Sequence, residues 1–341
     1  MSIIIWSLPV LLAFLWQVLD TSPSLFVYDL VTGTPDLADK NIWVTGASSG
    51  IGAALVCEFA KAGARHVVLS ARRENKMRQV IQTCQQQSLS SLSSLSSSNT
   101  TFSIVPYDAL EVDSTEFVVR QAIDSTPNQS IDMLVLNSGI YQVKPALETT
   151  ADERRNLVRV NLEAPMDLSQ ALLKMDHWKE RGHGHLVVIS SIMAKGPHGL
   201  CTTYAATKAA IRSYFQTLSA EEFQWLRVNM VLPGATATEM WKTSYGDTVQ
   251  VDQSSMMTPQ RVAQLTTKAI AGPTLLFWEV WISKANGLLY AFMSHYVPGL
   301  FYLLNHVVGW IRLAAYRRDQ TDVIEIKNLV RFLFNKIRGK L

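Results

Sequence analysis

Asn41-Ile42-Trp43-Val44-Thr45-Gly46-Ala47-Ser48-Ser49-Gly50-Ile51-Gly52 is the stretch on which the fold turns. Its first five residues are a short apolar run of the kind that forms a strand buried on both faces. The glycine-rich turn that follows opens a segment with helical spacing. Small side chains there permit a tight turn and close approach of a pyrophosphate, whose charge is favoured at a helix N-terminus. A glycine turn by itself is a weak signal. Between a first strand and a first helix it points to a dinucleotide.

The same alternation continues outward from this unit. His66–Ser70, Ser103–Pro106, Met133–Asn137, Leu186–Ser190 and Arg227–Leu232 read as buried strands, each followed by an amphipathic stretch, and Glu279–Ser283 reads as a seventh. Repeated strand–helix units predict an α/β fold with a doubly wound parallel sheet of about seven strands and right-handed crossovers. The second strand runs into Ala71-Arg72-Arg73. A carboxylate near this place would suit the ribose hydroxyls of NAD, whereas two guanidinium groups suit the 2′-phosphate of NADP.

Tyr204 and Lys208 stand four residues apart, one turn along one helix face, with Ser191 upstream. A fixed positive charge beside a phenol favours the phenolate, so the pair can exchange a proton with an alcohol or a ketone nearer to neutral pH. Ser191 can hold the substrate oxygen, and Ser190 is the lesser candidate for that role. His183-Gly184-His185 lies in a glycine-rich turn before a strand, and two histidines without further ligands predict no metal site.

With these residues in place the chain resembles the short-chain dehydrogenase/reductase family over roughly residues 38–285. Thr45, Gly46, Gly50 and Gly52 match its cofactor turn, with Ser48, Ser49 and Ile51 between them. Asp108 resembles the element at the adenine. Asn137 and Gly139 match the Asn-Asn-Ala-Gly element, with departures at Leu136 and Ser138. Pro233, Gly234 and Thr238 match the segment that holds the nicotinamide carboxamide. Asn161, Ser191, Tyr204 and Lys208 fall at the catalytic asparagine, serine, tyrosine and lysine. The resemblance implies a Rossmann fold, NADP(H) as cofactor, and hydride transfer with Tyr204 as acid and base. It implies that Lys208 lowers the Tyr204 pKa and bonds the nicotinamide ribose, and that Asn161 supports a relay water. Within the family the likeness is to the membrane-bound dehydrogenase/reductase member 7 group, carried by Trp43-Val44-Thr45-Gly46, Leu69-Ser70-Ala71-Arg72-Arg73 and Glu279-Val280-Trp281-Ile282-Ser283.

Both ends of the chain differ from this core. Ile3–Leu19 carries no charge and is interrupted only by Ser7, Pro9 and Gln17. It reads as an uncleaved signal-anchor over residues 1–20, since no Lys or Arg precedes it and Ser22-Pro23-Ser24 makes a poor cleavage site. A cleaved signal peptide and a packed helix are the alternatives. Residues 21–37 read as a linker. Gln85-Gln86-Gln87 and the Ser/Leu run Ser88–Ser98 read as a loop insertion. Residues 286–341 read as two amphipathic helices turning at Pro298-Gly299, then a basic tail, a mixture that suits a substrate lid, a membrane surface, or both.

Composition narrows the classes further. At 341 residues with 48% hydrophobic content the chain is long enough for one large α/β domain with extensions, or for two modest domains. A formal charge of +3 is too small for nucleic-acid binding as the main task. Three cysteines without CxxC spacing predict neither a disulfide framework nor a structural zinc. Asn99-Thr100-Thr101 and Asn128-Gln129-Ser130 are glycosylation sequons, relevant only if the domain is luminal. The expected function is reduction or oxidation of a lipophilic carbonyl or alcohol (a steroid, retinoid or relative) at the endoplasmic reticulum membrane, its side left open. The alternatives are a ketoacyl or ketosphingoid reductase, or a silent dinucleotide-binding protein. Family members often form dimers, so a homodimer is the assembly to test.

Overall fold

The computed structural model describes residues 20–33, 35–90, 100–111, 114–175, 178–245, 253–254, 256–273 and 277–317. The apolar run before Asp20, residues 91–99 of the Ser/Leu insertion and the basic tail from 318 lie outside the described residues. Among the described residues no helix is long and apolar enough to cross a membrane.

Seven strands form one sheet: β1 (Asn41–Thr45), β2 (His66–Ser70), β3 (Thr101–Ile104), β4 (Met133–Leu136), β5 (Gly184–Ile189), β6 (Leu226–Pro233) and β7 (Glu279–Ile282). Their order is β3-β2-β1-β4-β5-β6-β7, with every neighbouring pair parallel. The direction of winding reverses between β1 and β4, which opens a crevice at their carboxyl ends. Strand side chains alternate between faces. Ile42 and Val44 therefore join one apolar layer with Leu55, Phe59, Val262 and Ile270, while Trp43 joins the other with Leu134, Leu168, Ile211 and Phe215. Trp43 is fully buried, and its indole N–H donates to the Ser70 hydroxyl at 2.8 Å, so its one polar atom is satisfied.

Three segments depart from the sequence expectations. Pro23–Val31, read as linker, is a helix. Proline is pre-organised for its first turn, fully buried Leu25 joins the core, and Arg261 grips Asp20 at 2.7 Å and Asp29 at 2.6 Å. The helix Glu74–Ser90 continues through the glutamine run into the first residues of the Ser/Leu stretch, in keeping with glutamine's good helix propensity. Cys57 and Cys84 form a disulfide, which corrects the expectation of none; Cys201 is free and buried. The bond became reachable because the helices Gly50–Lys61 and Glu74–Ser90 pack side by side.

The C-terminal part is a helical hairpin, Ala285–Tyr296 and Pro298–Tyr316, broken at Val297. It lies across the carboxyl end of the sheet. Tyr290 donates to the Pro197 carbonyl at 3.1 Å, and Arg312 donates to the Gly199 carbonyl at 3.2 Å.

Candidate active site

A cavity of about 690 Å³ runs along the carboxyl ends of the strands, from Arg72, Arg73 and Asp108 at one end to Tyr204, Tyr290 and Arg312 at the other. The glycine turn forms its floor. Gly46 and Gly50 have φ of 66° and 57°, where a β-carbon is strained. A β-carbon on Gly46 would also meet Asn137 Nδ2 at 2.8 Å. Thr45 and Asn137 lock the turn to β4. The Thr45 hydroxyl donates to the Val135 carbonyl at 3.1 Å and accepts from the Asn137 and Ser138 amides at 3.0 and 3.2 Å. Asn137 Nδ2 donates to the carbonyls of Thr45 and Gly46 at 3.0 and 3.3 Å.

The two arginines at the end of β2 have different roles. Arg73 donates to the hydroxyls of Ser48 and Ser49 at 3.1 and 2.9 Å, and pairs with Glu239 at 3.0 Å. Lys76 holds the same carboxylate at 2.7 Å. Hydrogen bonds from Lys76 and Arg73 keep the Glu239 carboxyl below its ordinary range. Arg72 also lines the cavity and is exposed. Asp108 accepts from the Leu110 amide at 3.0 Å, fixing the loop after β3. Gly234 and Thr238 line the cavity beyond β6, whose last residue is Pro233. Cation, glycine turn and helix N-terminus thus line one groove, which fits a phosphorylated dinucleotide.

At the other end, the helix Thr202–Glu221 buries Tyr204, Lys208, Ile211 and Phe215 along one stripe. A phenol and an ammonium occupy positions that most helices fill with hydrocarbon. The Lys208 Nζ donates to the Ile189 carbonyl at 3.1 Å and lies 5.8 Å from the centre of the Tyr204 ring. The Ser191 Oγ donates to the Pro233 carbonyl at 3.5 Å and accepts from the Met193 amide at 3.2 Å, and Ser191 lines the cavity beside Tyr204. Asn161 sits in a π-helical turn, Arg159–Glu163, an insertion often found at functional sites. Its Oδ1 accepts from the Ile140 amide at 2.8 Å, and its Nδ2 donates to the Ile140 carbonyl at 2.9 Å. Gly139 lies between Asn161 and Lys208. A β-carbon there would stand 3.4 Å from Asn161 Oδ1 and 3.5 Å from Lys208 Nζ. All four residues expected to be catalytic therefore converge.

The electrostatics differ from the expectation that Lys208 brings the phenol toward neutrality. Burial pushes the Tyr204 phenol up to about 12, against a smaller opposite pull from the Ser191 hydrogen bond. Burial likewise brings Lys208 down to about 8. Desolvation disfavours the charged form of each group and outweighs their mutual effect.

Sequence reasoning missed the aromatic wall. Tyr141 meets Tyr204 edge-on at 4.7 Å between ring centres and Trp241 at 5.3 Å, and its hydroxyl is 2.9 Å from the Cys201 sulfur. Tyr141 lies two residues past Gly139, and that short spacing was the only available cue. Met193, Met256 and Tyr290 complete the apolar side.

This fold, with a glycine turn at one end of the cleft and a buried Ser–Tyr–Lys group at the other, defines a short-chain dehydrogenase. Residues 40–248 match that family's profile, and the chain belongs to it as an oxidoreductase. Among curated relatives, dehydrogenase/reductase SDR family member 7 of Mus musculus is 30% identical over 292 residues, covering 83% of this chain and 82% of the relative. The Homo sapiens protein of that name is 28% identical over 290 residues, covering 83% and 81%. Among solved structures, a short chain dehydrogenase from Shigella flexneri complexed with NADP superposes with a TM-score of 0.62 at 26% identity, covering 73% of this chain and 98% of that one. An alcohol dehydrogenase from Thermococcus sibiricus complexed with 5-hydroxy-NADP gives 0.61 at 21% identity, covering 72% and 96%, and so shares the fold.

Proposed function

We propose that this chain is an NADP(H)-dependent oxidoreductase that interconverts a carbonyl and an alcohol on a lipophilic substrate. The observation that carries the reading is that the buried residues Ser191, Tyr204 and Lys208 line one end of a cavity continuous with the glycine turn and Arg73. NADPH supplies the hydride. Ser191 donates to the carbonyl oxygen, and the Tyr204 hydroxyl, protonated throughout the physiological range, gives the proton that makes the alcohol. Lys208 holds positive charge beside the phenol as its proton leaves. Asn161 fixes the Ile140 backbone and bounds the space beside Gly139 in which a relay water would sit. Arg73 and Arg72 are the groups for the 2′-phosphate, and Asp108 shapes the adenine end.

The substrate class rests on the wall of Tyr141, Trp241, Met193 and Met256 and on the hairpin. No Asp, Glu, Lys or Arg occurs from Ala285 to Ile311. Phe292, Tyr296, Leu300, Leu303, Val307 and Trp310 are 48–64% exposed. An outward apolar face of this size suits a bilayer surface, from which a lipophilic carbonyl can enter the cleft. The experiment is NADPH-dependent turnover of steroid, retinoid and quinone carbonyls by the purified chain, beside Tyr204→Phe. The variant is expected to lose turnover by roughly 10²–10⁴-fold while still binding NADPH. Retained reductase activity, or turnover confined to small polar carbonyls, refutes the reading.

A further inference from the structure

We propose that the catalytic domain lies on the oxidising, luminal side of the membrane and that Asn128 carries an N-linked glycan. Neither point depends on the reaction assigned above. The first observation is the Cys57–Cys84 disulfide, which joins the helix behind the glycine turn to the helix after β2. Such a bond persists in the exocytic lumen and is rare in the cytosol, where thiols are kept reduced. It forms by transfer of two electrons and two protons from the paired thiols to an oxidised dithiol carrier of that compartment, leaving one S–S bond. Cys201 is buried and remains a thiol.

The second observation is independent of the cysteines. Asn128-Gln129-Ser130 satisfies the acceptor pattern and lies in the turn between the helix Thr115–Asp124 and β4. Asn128 is exposed, and Gln129 turns the chain with a φ of 49°. The Asn128 Oδ1 accepts from Asn41, whereas its Nδ2, the atom that takes the sugar, has no hydrogen bond among the described residues. A glycan there can leave the folded surface without breaking a contact. Transfer forms a bond from Nδ2 to C1 of the sugar and breaks the C1–oxygen bond of a lipid-diphosphate oligosaccharide. The lipid diphosphate departs, and the amide loses a proton.

The position also suits attachment to a membrane. Asn128 bonds Asn41 at the amino end of β1. The uncharged run Ile3–Leu19 leads instead into Asp20, whose carbonyl accepts from the Ser283 amide at 3.0 Å just past the carboxyl end of β7. In a parallel sheet these are opposite ends, so the glycan and the membrane-facing hairpin do not compete for space.

The test is expression of the full chain in a eukaryotic cell that glycosylates, in an Asn99→Gln background so that Asn128 is the sole remaining sequon of the two. The expected result is a gel mobility that an N-glycan-removing glycosidase increases, with the shift abolished by both Asn128→Gln and Ser130→Ala. The second variant keeps the asparagine and its bond to Asn41, so it guards against misfolding of the first. Maleimide labelling of the denatured chain is expected to count one thiol before reduction and three after. Three thiols before reduction, or no glycosidase-sensitive shift, overturns the proposal.

Discussion

Ser190 and Ser191 are adjacent in sequence and bond in opposite directions. The Ser190 hydroxyl donates to the Lys208 carbonyl at 2.8 Å, tying β5 to the helix Thr202–Glu221, whereas the Ser191 hydroxyl donates to the Pro233 carbonyl at 3.5 Å and lines the cavity beside Tyr204. Replacing each by alanine separates architecture from chemistry. Ser191→Ala is expected to lower kcat/KM by roughly 10²–10³-fold, as loss of one donor to a developing oxyanion does. Ser190→Ala is expected to cost about 0.5–1.5 kcal/mol of stability with a far smaller kinetic effect. Steady-state kinetics and thermal melts on both variants check this. A larger kinetic defect in Ser190→Ala would reverse the assignment.

The burial of Lys208 sets an expected pH profile. Tyr204 stays protonated up to about 12, so the group that titrates first on the alkaline side is Lys208, at about 8. Reduction is expected to be level below pH 7 and to fall as pH rises through 8, because the charge that supports the departing proton disappears. The quantity to measure is kcat/KM for NADPH, which reports ionisations of the free enzyme. Lys208→Arg should move the falling limb upward, since guanidinium does not titrate there. The same shift has a stability sign. The folded pKa is depressed below the unfolded 10.5, so the unfolded chain binds more protons between about 8 and 10.5 and the Lys208 contribution to stability rises across that window. Lys208→Met is therefore expected to melt above wild type at pH 7, with the gap closing toward pH 10.

The strands were readable because residues buried on both faces are mostly apolar, as Ile42–Val44 within β1 and Met133–Leu136 are. The chemistry was readable where it is local: a glycine turn, a Tyr and Lys one helical turn apart. What depends on distant packing was not. Cys57 and Cys84 are 27 residues apart on different helices, and their spacing says nothing about contact. Arg73 meets Glu239 across 166 residues, and Tyr141 comes from an irregular loop and Trp241 from a six-residue helix too short to show a period. The pKa of Tyr204 was misjudged because a sequence shows the neighbouring charge but not the desolvation.

The hairpin's exposed face should control access of bilayer-borne substrate. Leu303 is 64% exposed on the part of its helix that precedes Arg312 and holds no Asp, Glu, Lys or Arg, so an aspartate there costs the fold little and opposes contact with lipid. Leu303→Asp in the full chain is expected to raise KM for a membrane-partitioned carbonyl by about tenfold, matching the loss of one apolar side chain's burial. Turnover of a water-soluble ketone should be unchanged. Equal effects on both substrates would place the defect inside the cleft instead.

The Glu239 carboxylate holds Arg73 at 3.0 Å and Lys76 at 2.7 Å. If Arg73 takes the 2′-phosphate as proposed, that phosphate would have to share both cations with Glu239. Neutralising the acid leaves the cations in place and removes the competitor. Glu239→Gln is therefore expected to lower Kd for NADPH while leaving NADH nearly unchanged. Arg73→Ala acts in the opposite sense. Losing a charge-assisted hydrogen bond of about 1.5–3 kcal/mol weakens NADPH by roughly 10–100-fold. It also frees the hydroxyls of Ser48 and Ser49, so a smaller loss with NADH should accompany it. Titration of both dinucleotides against the two variants separates the effects. Equal changes for NADPH and NADH in Glu239→Gln would mean that the carboxylate only braces the turn.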